Sequence, residues 1–402
     1  MTTVISGSSP SITFSDATTQ TTAFTTPVSI ANGGTGSSTL AGANIATTNS
    51  STQSITSINT FGFKNRIING GMSIDQRNAG ASVTLNSGDE KFPVDRFSTY
   101  QNTGTGVYTG QQSSTAPTGF TNSLKFTTTT ANASLSASQR AQLLQQIEGF
   151  NTADLGFGTA NAKTVTLSFW VYSSLTGTFA GSLSNNNSDR SYVFNYTISL
   201  ANTWEQKTIT ITGDTSGTWL TTSGTGIRVY FSLGSGTTYN TTAGTWASGY
   251  FISTSGATSV IGTNGATWYV TGVQLEVGTQ ATSFDFRDYG RELILCQRYY
   301  KKHLSPANGM LIAGTSVTTT ASWAIYILPV TMRTSPTVSI SNLQISDFVN
   351  YSLAVTAIGT QTSGTDSVGL NFTNNTGATA YRLAGVQSTS SGNGYIDFSA
   401  EL

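Results

Sequence analysis

The chain has 402 residues, enough for two or three domains with cores of their own. Only 9% of them are charged, against about 25% in an ordinary soluble domain, yet 37% are hydrophobic and 10% aromatic, which excludes a disordered polar chain. The 18 basic and 18 acidic residues cancel, so there is no basic stripe to neutralise phosphates, and nucleic acid is excluded as an expected partner.

No apolar run is long enough for a membrane helix, so membrane insertion is not expected either. The N-terminus MTTVISGSSPSITF lacks a basic region followed by an apolar core, and synthesis in the cytoplasm is expected. A single cysteine, Cys296, rules out an intrachain disulfide framework and a Cys-cluster zinc site.

Along the chain, Ser11–Phe24 alternates weakly and predicts one short strand pair. Ile30–Ser57 has almost no large side chains and cannot bury enough apolar area to fold alone. It is either a flexible linker or a segment ordered by intertwining with identical copies.

From Lys64 to Phe286 the pattern predicts antiparallel strands with one buried face each. The alternating runs are Val165, Leu167, Phe169 and Val171; Tyr192, Phe194, Tyr196, Ile198 and Leu200; Ile227, Val229, Phe231 and Leu233; and Tyr269, Thr271, Val273, Leu275 and Val277. Ser136–Phe150 is the exception: Leu143, Leu144 and Ile147 have helical spacing, Gly149 supplies a stop, and a short helix against a sandwich is predicted.

Arg287–Lys302 concentrates the scarce charge and predicts a helix over about Tyr289–Lys302. Tyr289, Leu293, Cys296 and Tyr300 share one face of it. That face lines a common axis if three copies pack together, or it packs on the chain's own sandwich. The strands then return, with an apolar run at Trp323–Val330, and predict a small C-terminal β-sandwich.

The segments Asn65–Met72, Val94–Phe97, Gln146–Gly149, Leu167–Val171, Gly272–Gly278 and Leu295–Tyr300, in this order, resemble the carbohydrate-binding-module-like jelly roll of bacteriophage tail-fibre and other virion fibre proteins. GGTGSSTLAG at Gly33–Gly42 resembles a segment common near fibre shafts. The resemblance implies an all-β fold: an extended virion-attachment or shaft segment (1–63), a jelly roll (64–286), a connecting helix (287–304) and a C-terminal β-sandwich tip (305–402). It implies a homotrimer located in the virion, joined to tail or capsid proteins through 1–63 and adhering to a host surface glycan or protein. A capsid fibre or decoration protein without a receptor, and a glycan-degrading tail spike, are the alternatives.

No catalytic set emerges. His303 is the only histidine, expected at the helix C-terminus, where it favours the dipole. Asp89 and Glu90, adjacent in sequence, point to opposite faces if extended and are expected in a loop, and the acid pairs Asp95 with Asp214 and Asp285 with Asp288 meet only by tertiary accident. The chain is therefore expected not to be an enzyme and to need no cofactor, except that Asp95 or Glu276 are candidates for a structural calcium ion, as in some jelly rolls of this type.

The candidate ligand residues are Trp170, Tyr172, Arg228 and Tyr230. They point away from the alternating core positions of their strands. Aromatic rings there offer stacking faces to sugars, and Arg228 offers paired donors. A loop, the Ser136–Phe150 helix or a neighbouring subunit covering these rings is the competing expectation.

Overall fold

The computed structural model describes residues 63–402 and three two-residue strands near the start of the chain, β1 (Val4–Ile5), β2 (Ile12–Thr13) and β3 (Thr19–Gln20). These pair antiparallel in sequence order. The other expectations for 1–63, the shaft and attachment role included, lie outside the described residues. Contacts divide the chain between Phe61 and Gly62, and everything below belongs to the second unit.

Its first part runs through β4 (Val83–Leu85), β5 (Glu90–Val94), β6 (Phe97–Gln101), β7 (Val107–Ser113), β8 (Ser123–Thr130), β9 (Arg140–Glu148), β10 (Val165–Ser173), β11 (Gly177–Ser184), β12 (Arg190–Ile198), β13 (Glu205–Ile211), β14 (Thr225–Ser235), β15 (Trp246–Ser248) and β16 (Thr267–Val277). They build a six-stranded sheet, β13-β10-β16-β8-β7-β4, and a seven-stranded sheet, β15-β12-β11-β14-β9-β6-β5. All pairs are antiparallel.

Alternation puts Val165, Leu167, Phe169 and Val171 of one sheet against Phe194, Tyr196, Val229 and Phe231 of the other, in one continuous core. Phe169 meets Tyr196 and Phe231 edge to face, with centroids 5.1 and 5.0 Å apart.

Ser136–Phe150 is not a helix. It is β9, followed by a 3-10 turn at Gly149–Asn151. β9 lies between β14 and β6, inside the seven-stranded sheet. Ala141, Leu143 and Ile147 face the core, while Leu144 faces the other way, under Tyr230 and Ile252. A strand covered on both faces carries apolar residues at both parities, and here that imitates helical spacing.

The helix α1 is also shorter than expected, Tyr289–Gln297, capped by Asp288, whose carboxylate accepts from the Arg291 amide at 2.9 Å. The chain then re-enters strand structure in β17 (Tyr300–Ser305), so Tyr300 and His303 are strand residues, and His303 is not at a helix end. Cys296 is fully buried with Ile68, Ile74 and Tyr299, and Leu293 packs on the same cluster. Tyr300 is buried as well, while Tyr289 is exposed. This face packs on the chain's own jelly roll, so Cys296 and Tyr300 cannot line an axis between copies.

β17 is followed by β18 (Met310–Ser316), β19 (Ala321–Ile327), β20 (Thr337–Ser341), β21 (Leu343–Ser346), β22 (Ser352–Ser363), β23 (Ser367–Asn374), β24 (Arg382–Ser388) and β25 (Gly394–Ser399). The C-terminal part is all-β as expected. It closes into a barrel, β18-β19-β23-β22-β21-β24, beside a three-stranded sheet, β17-β25-β20, rather than forming two facing sheets. Leu370, Phe372, Val386, Ile396 and Phe398 fill its core.

All but Leu167–Val171 of the segments that carry the family resemblance gather near where the jelly roll meets α1 and the barrel. Asn65 donates to the Val273 carbonyl and accepts from the Ile67 and Leu275 amides, which ties the entering chain to β16. A Cβ at Gly70 would run into the Val273 carbonyl oxygen, so only glycine fits there. Asn69 donates to the carbonyls of Ile74 and Asp95, both at 2.8 Å.

Glu148, at the end of β9, accepts from Arg298 at 2.6 and 2.9 Å and from the Tyr299 hydroxyl at 2.6 Å. Glu401 pairs with Arg96 and, at 3.1 Å, with Arg77. The Arg77 and Arg96 guanidinium groups lie over the Tyr300 and Tyr299 rings at 3.5 and 3.6 Å. Burial pushes the Glu148 carboxyl up, but the hydrogen bonds from Arg298 and Tyr299 outweigh it and hold it below its ordinary value.

Two outcomes follow. Glu401→Ala leaves the buried Arg96 without its carboxylate and is expected to destabilise the protein by about 3–5 kcal/mol in urea unfolding. Burial also drives the Asp95 carboxyl up to about 7, against the charge of Arg77 and the hydrogen bond from Gln76. A raised folded value means that the stability Asp95 contributes is full below about pH 4 and is lost as pH rises through about 7. The melting temperature of Asp95→Asn relative to wild type should therefore climb across that interval, and a flat difference would contradict the assignment.

Candidate functional site

The two sheets of the jelly roll treat their outer faces differently. The seven-stranded sheet is covered. Tyr230 is only 2% exposed, packed with Leu144 and Ile252 beneath Tyr239 and Tyr250 of the segment between β14 and β16. Arg140 lies over the Tyr100, Tyr239 and Tyr250 rings at 4.7, 4.6 and 5.2 Å. Arg228 donates to Gln146 at 3.1 Å, to Ser188 at 2.8 Å and to the Asn186 carbonyl. Burial, with the neighbouring Tyr230 adding to it, drives the Tyr250 hydroxyl well above its ordinary value.

Arg228 and Tyr230 are thus consumed in holding loops. They lie on the opposite layer from Trp170 and Tyr172, with the core between. The four residues do not form one platform.

The outer face of the six-stranded sheet is open in its middle. Core residues alternate along β10, so Trp170 and Tyr172 point outward, and both are half-buried. Tyr269 of β16 stands opposite Tyr172, Lys125 of β8 opposite Tyr269, and Gln111 of β7 opposite Lys125. Glu205 pairs with Val171, which places the preceding Trp204 beside Tyr172.

The ring centroids of Tyr172 lie 5.5 Å from Trp204 and 4.9 Å from Tyr269, and those of Trp204 and Tyr269 lie 6.2 Å apart. Lys125 Nζ is 5.6 Å from the Tyr269 ring. Tyr269 is the buried floor of this cluster, and Trp204 and Tyr172 are its accessible walls.

A bulge at Gly272 divides the face. Register between β10 and β16 shifts between Ser168 and Trp170, and Gly272 adopts φ +61°. Before it, Trp268 and Val270 face the core and Tyr269 and Thr271 face out; after it, Val273 and Leu275 face in. The expected single alternation from Tyr269 to Val277 is therefore wrong for its first half. An extra residue in the strand exchanges the faces.

Beyond the bulge the face is closed. Gln274 and Glu276 are buried, and Glu276 accepts from Thr282 through the amide at 2.8 Å and the hydroxyl at 2.7 Å. At the boundary Phe120, Phe284 and Phe286 form a triangle with centroids 4.8–5.2 Å apart. They line a cleft of about 310 Å³ with Gly71, Ser73 and Tyr289.

The candidate acids are engaged with other protein groups, Asp285 accepting from the Asn65 amide at 3.4 Å and lying 3.9 Å from Arg287. Asp89 is 3.0 Å from Lys91, Asp214 is held by Arg190 at 2.7 and 2.8 Å, and Asp95 lies in the junction network. Asp288 caps α1. Among the described residues no group of three or more His, Cys, Asp or Glu is placed to hold a metal ion, and the oxygens of Asp95 and Glu276 already accept protein donors. His303 lies 5.6 Å from the Tyr326 ring, and burial together with Lys301 lowers its pKa.

Trp204, Tyr269 and Lys125 were not legible as site residues. Trp204 precedes a strand with few apolar positions, and Tyr269 was assigned to the core by an alternation that ignored the glycine inside it.

No family model and no curated protein matches the sequence. Among solved structures the chain is similar to a putative sugar binding protein from Bacteroides thetaiotaomicron, at 13% identity and TM-score 0.29, over 54% of this chain and 100% of that one. It is similar to the family 11 carbohydrate-binding module from Clostridium thermocellum in complex with a β-1,3-1,4-mixed-linked tetrasaccharide, at 10% identity and TM-score 0.26, over 50% of this chain and 98% of that one. It is also similar to the enzymatically active domain of bacteriophage CBA120 tailspike protein 4, at 12% identity and TM-score 0.28, over 53% of this chain; it spans 21% of that domain's length.

Gly272→Ala tests the bulge. Its Cβ would lie 2.7 Å from Phe120 and 3.1 Å from Trp170, at a positive φ. A loss of about 1–3 kcal/mol with altered tryptophan fluorescence is expected; an unchanged melting curve would show that the bulge does not position these rings.

Proposed function

We propose that the chain is a non-enzymatic virion fibre protein that attaches to host cells by binding surface glycan through the open face of its jelly roll. The observation that carries this is the accessible group Trp204, Tyr172 and Trp170, on a surface whose polar neighbours are Lys125, Gln111 and Gln206. Pyranose rings present apolar C–H faces edged by hydroxyls. A flat aromatic wall with amide and ammonium donors beside it suits both, and Lys125 adds attraction for acidic sugars.

The carboxylates described above serve as partners of arginine, lysine and backbone amides, which favours binding over hydrolysis. The resemblance of Asn65–Tyr300 to virion fibre modules supports the setting: copies assembled as a homotrimer and joined to tail or capsid through residues 1–63.

The test is Trp204→Ala with Tyr172→Ala, measured for adsorption to host cells and for binding to an array of bacterial surface glycans. Both side chains are half-buried at most, so folding should survive while binding falls by about tenfold or more. Unchanged binding by the folded double variant would sink the proposal. Tyr230→Ala, by contrast, should cost about 3–5 kcal/mol of stability through lost packing.

A further inference from the structure

The barrel turns an apolar face outward. Along β19, Ala324 and Tyr326 point into the core, which leaves Trp323, Ile325 and Ile327 on the surface, at 48%, 68% and 71% exposure. The cross-strand register extends this ridge sideways. Trp323 pairs with Thr315 of β18, which pairs with Leu383 of β24, 74% exposed.

One row along, Gly314 pairs with Ala324, which sets Ala313 beside Ile325, and Ala313 pairs with Gly385. Gly385 is covered by the Phe348 ring, with Met310 beside it; both are exposed on their far side. On the other flank, Ile325 pairs with Gly369 of β23, and a groove of about 550 Å³ runs between this ridge and Gln361 and Thr362.

The six side chains that form this surface are uncharged, and Arg382, beside Leu383, is paired with Asp347 at 3.1 Å.

We propose that this face of the barrel is an interface between copies of this chain. Two properties select a second copy as the occupant. The first is area. The exposed parts of Trp323, Ile325, Ile327, Leu383, Phe348 and Met310 amount to several hundred Å², approaching the ~800 Å² each partner contributes to a stable interface and matching or exceeding the ~300–600 Å² of the largest patch on an ordinary monomer.

The second is chemistry. The ridge is apolar along its length, with aliphatic side chains in the majority and Trp323 and Phe348 among them. Without charge, two identical surfaces meet with no like-charge repulsion and no ion to desolvate. The groove beside the ridge gives a neighbouring ridge a place to lie. Cys296 and Tyr300 of the expected helix contact are buried inside the chain, whereas this face is exposed. The inference specifies where the assembly expected above is made and does not depend on glycan binding.

The experiment is sedimentation equilibrium of the full chain from about 0.1 to 10 μM, for wild type and for Ile325→Asp with Ile327→Asp. Wild type is expected to be oligomeric, and the variant to dissociate with at least a 100-fold weaker association, because each aspartate would be desolvated unpaired. If the aspartate pair fails to fold, Ile325→Thr with Ile327→Thr decides. Threonine keeps the β-branched shape that suits an outward strand position, and the same direction of change is expected.

A monomeric wild type overturns the proposal, and if the variants then also lose cell adsorption, the face belongs to a host partner instead. A wild-type oligomer that both folded variants preserve overturns it as well. Loss of glycan binding through Trp204→Ala without any change in assembly, or the reverse, keeps the two readings separate.

Discussion

Charge burial at one junction governs the architecture. In a chain with only 9% charged residues, Glu148, Glu401, Asp95 and Glu292 are all buried or nearly so, each facing arginine or backbone amides. A buried carboxylate without its partner costs several kcal/mol, so each of these groups needs its partner in place. Arg298 and Tyr299 come from the end of α1, Arg77 and Arg96 from loops of the jelly roll, and Glu401 from beyond the last barrel strand. Arg333 adds the barrel side, donating to the carbonyls of Ala400 and Glu401 at 2.8 and 2.6 Å and to that of Ser223 at 3.1 Å. Jelly roll, helix and barrel are joined through charges that none of them can bury alone.

That junction also explains which surfaces remain free. It occupies one end of the seven-stranded sheet, where Gln146 donates to the Leu402 carbonyl, and the Tyr239–Ile252 segment closes the rest. Among the described residues, the loop at 282–286 and Phe120 lie over one end of the six-stranded sheet, because the bulge at Gly272 turns β16 so that Gln274 and Glu276 meet that loop. The aromatic cluster of Trp204, Tyr172 and Tyr269 lies on the remaining, uncovered half. The barrel carries a second apolar surface, built from Ile325, Ile327, Leu383 and Met310 with Trp323 and Phe348. Under the two proposals above, glycan and a second copy of the chain would occupy different faces.

Composition and pattern by themselves determined that the chain is β-rich and that the core positions of β10, β12 and β14 are those seen, apart from Leu200, which lies past the end of β12 and is exposed. The segments around Asn65, Val94, Gln146 and Leu295 were singled out by their resemblance to fibre-protein modules. Period-two alternation depends only on local geometry, which is why the core positions were legible.

Tertiary structure decided the rest. Whether Leu143, Leu144 and Ile147 make a helix or a doubly covered strand depends on what lies over Leu144, and that is a loop almost a hundred residues away. Which way Tyr269 points depends on a bulge that costs nothing visible in the pattern except one glycine. Tyr230 and Trp170 are indistinguishable by alternation, and only the loop packed over one of the two sheets makes the first a core residue and leaves the second at the surface. The face of a strand is set by its neighbours along the chain, but its exposure is set by segments distant in sequence.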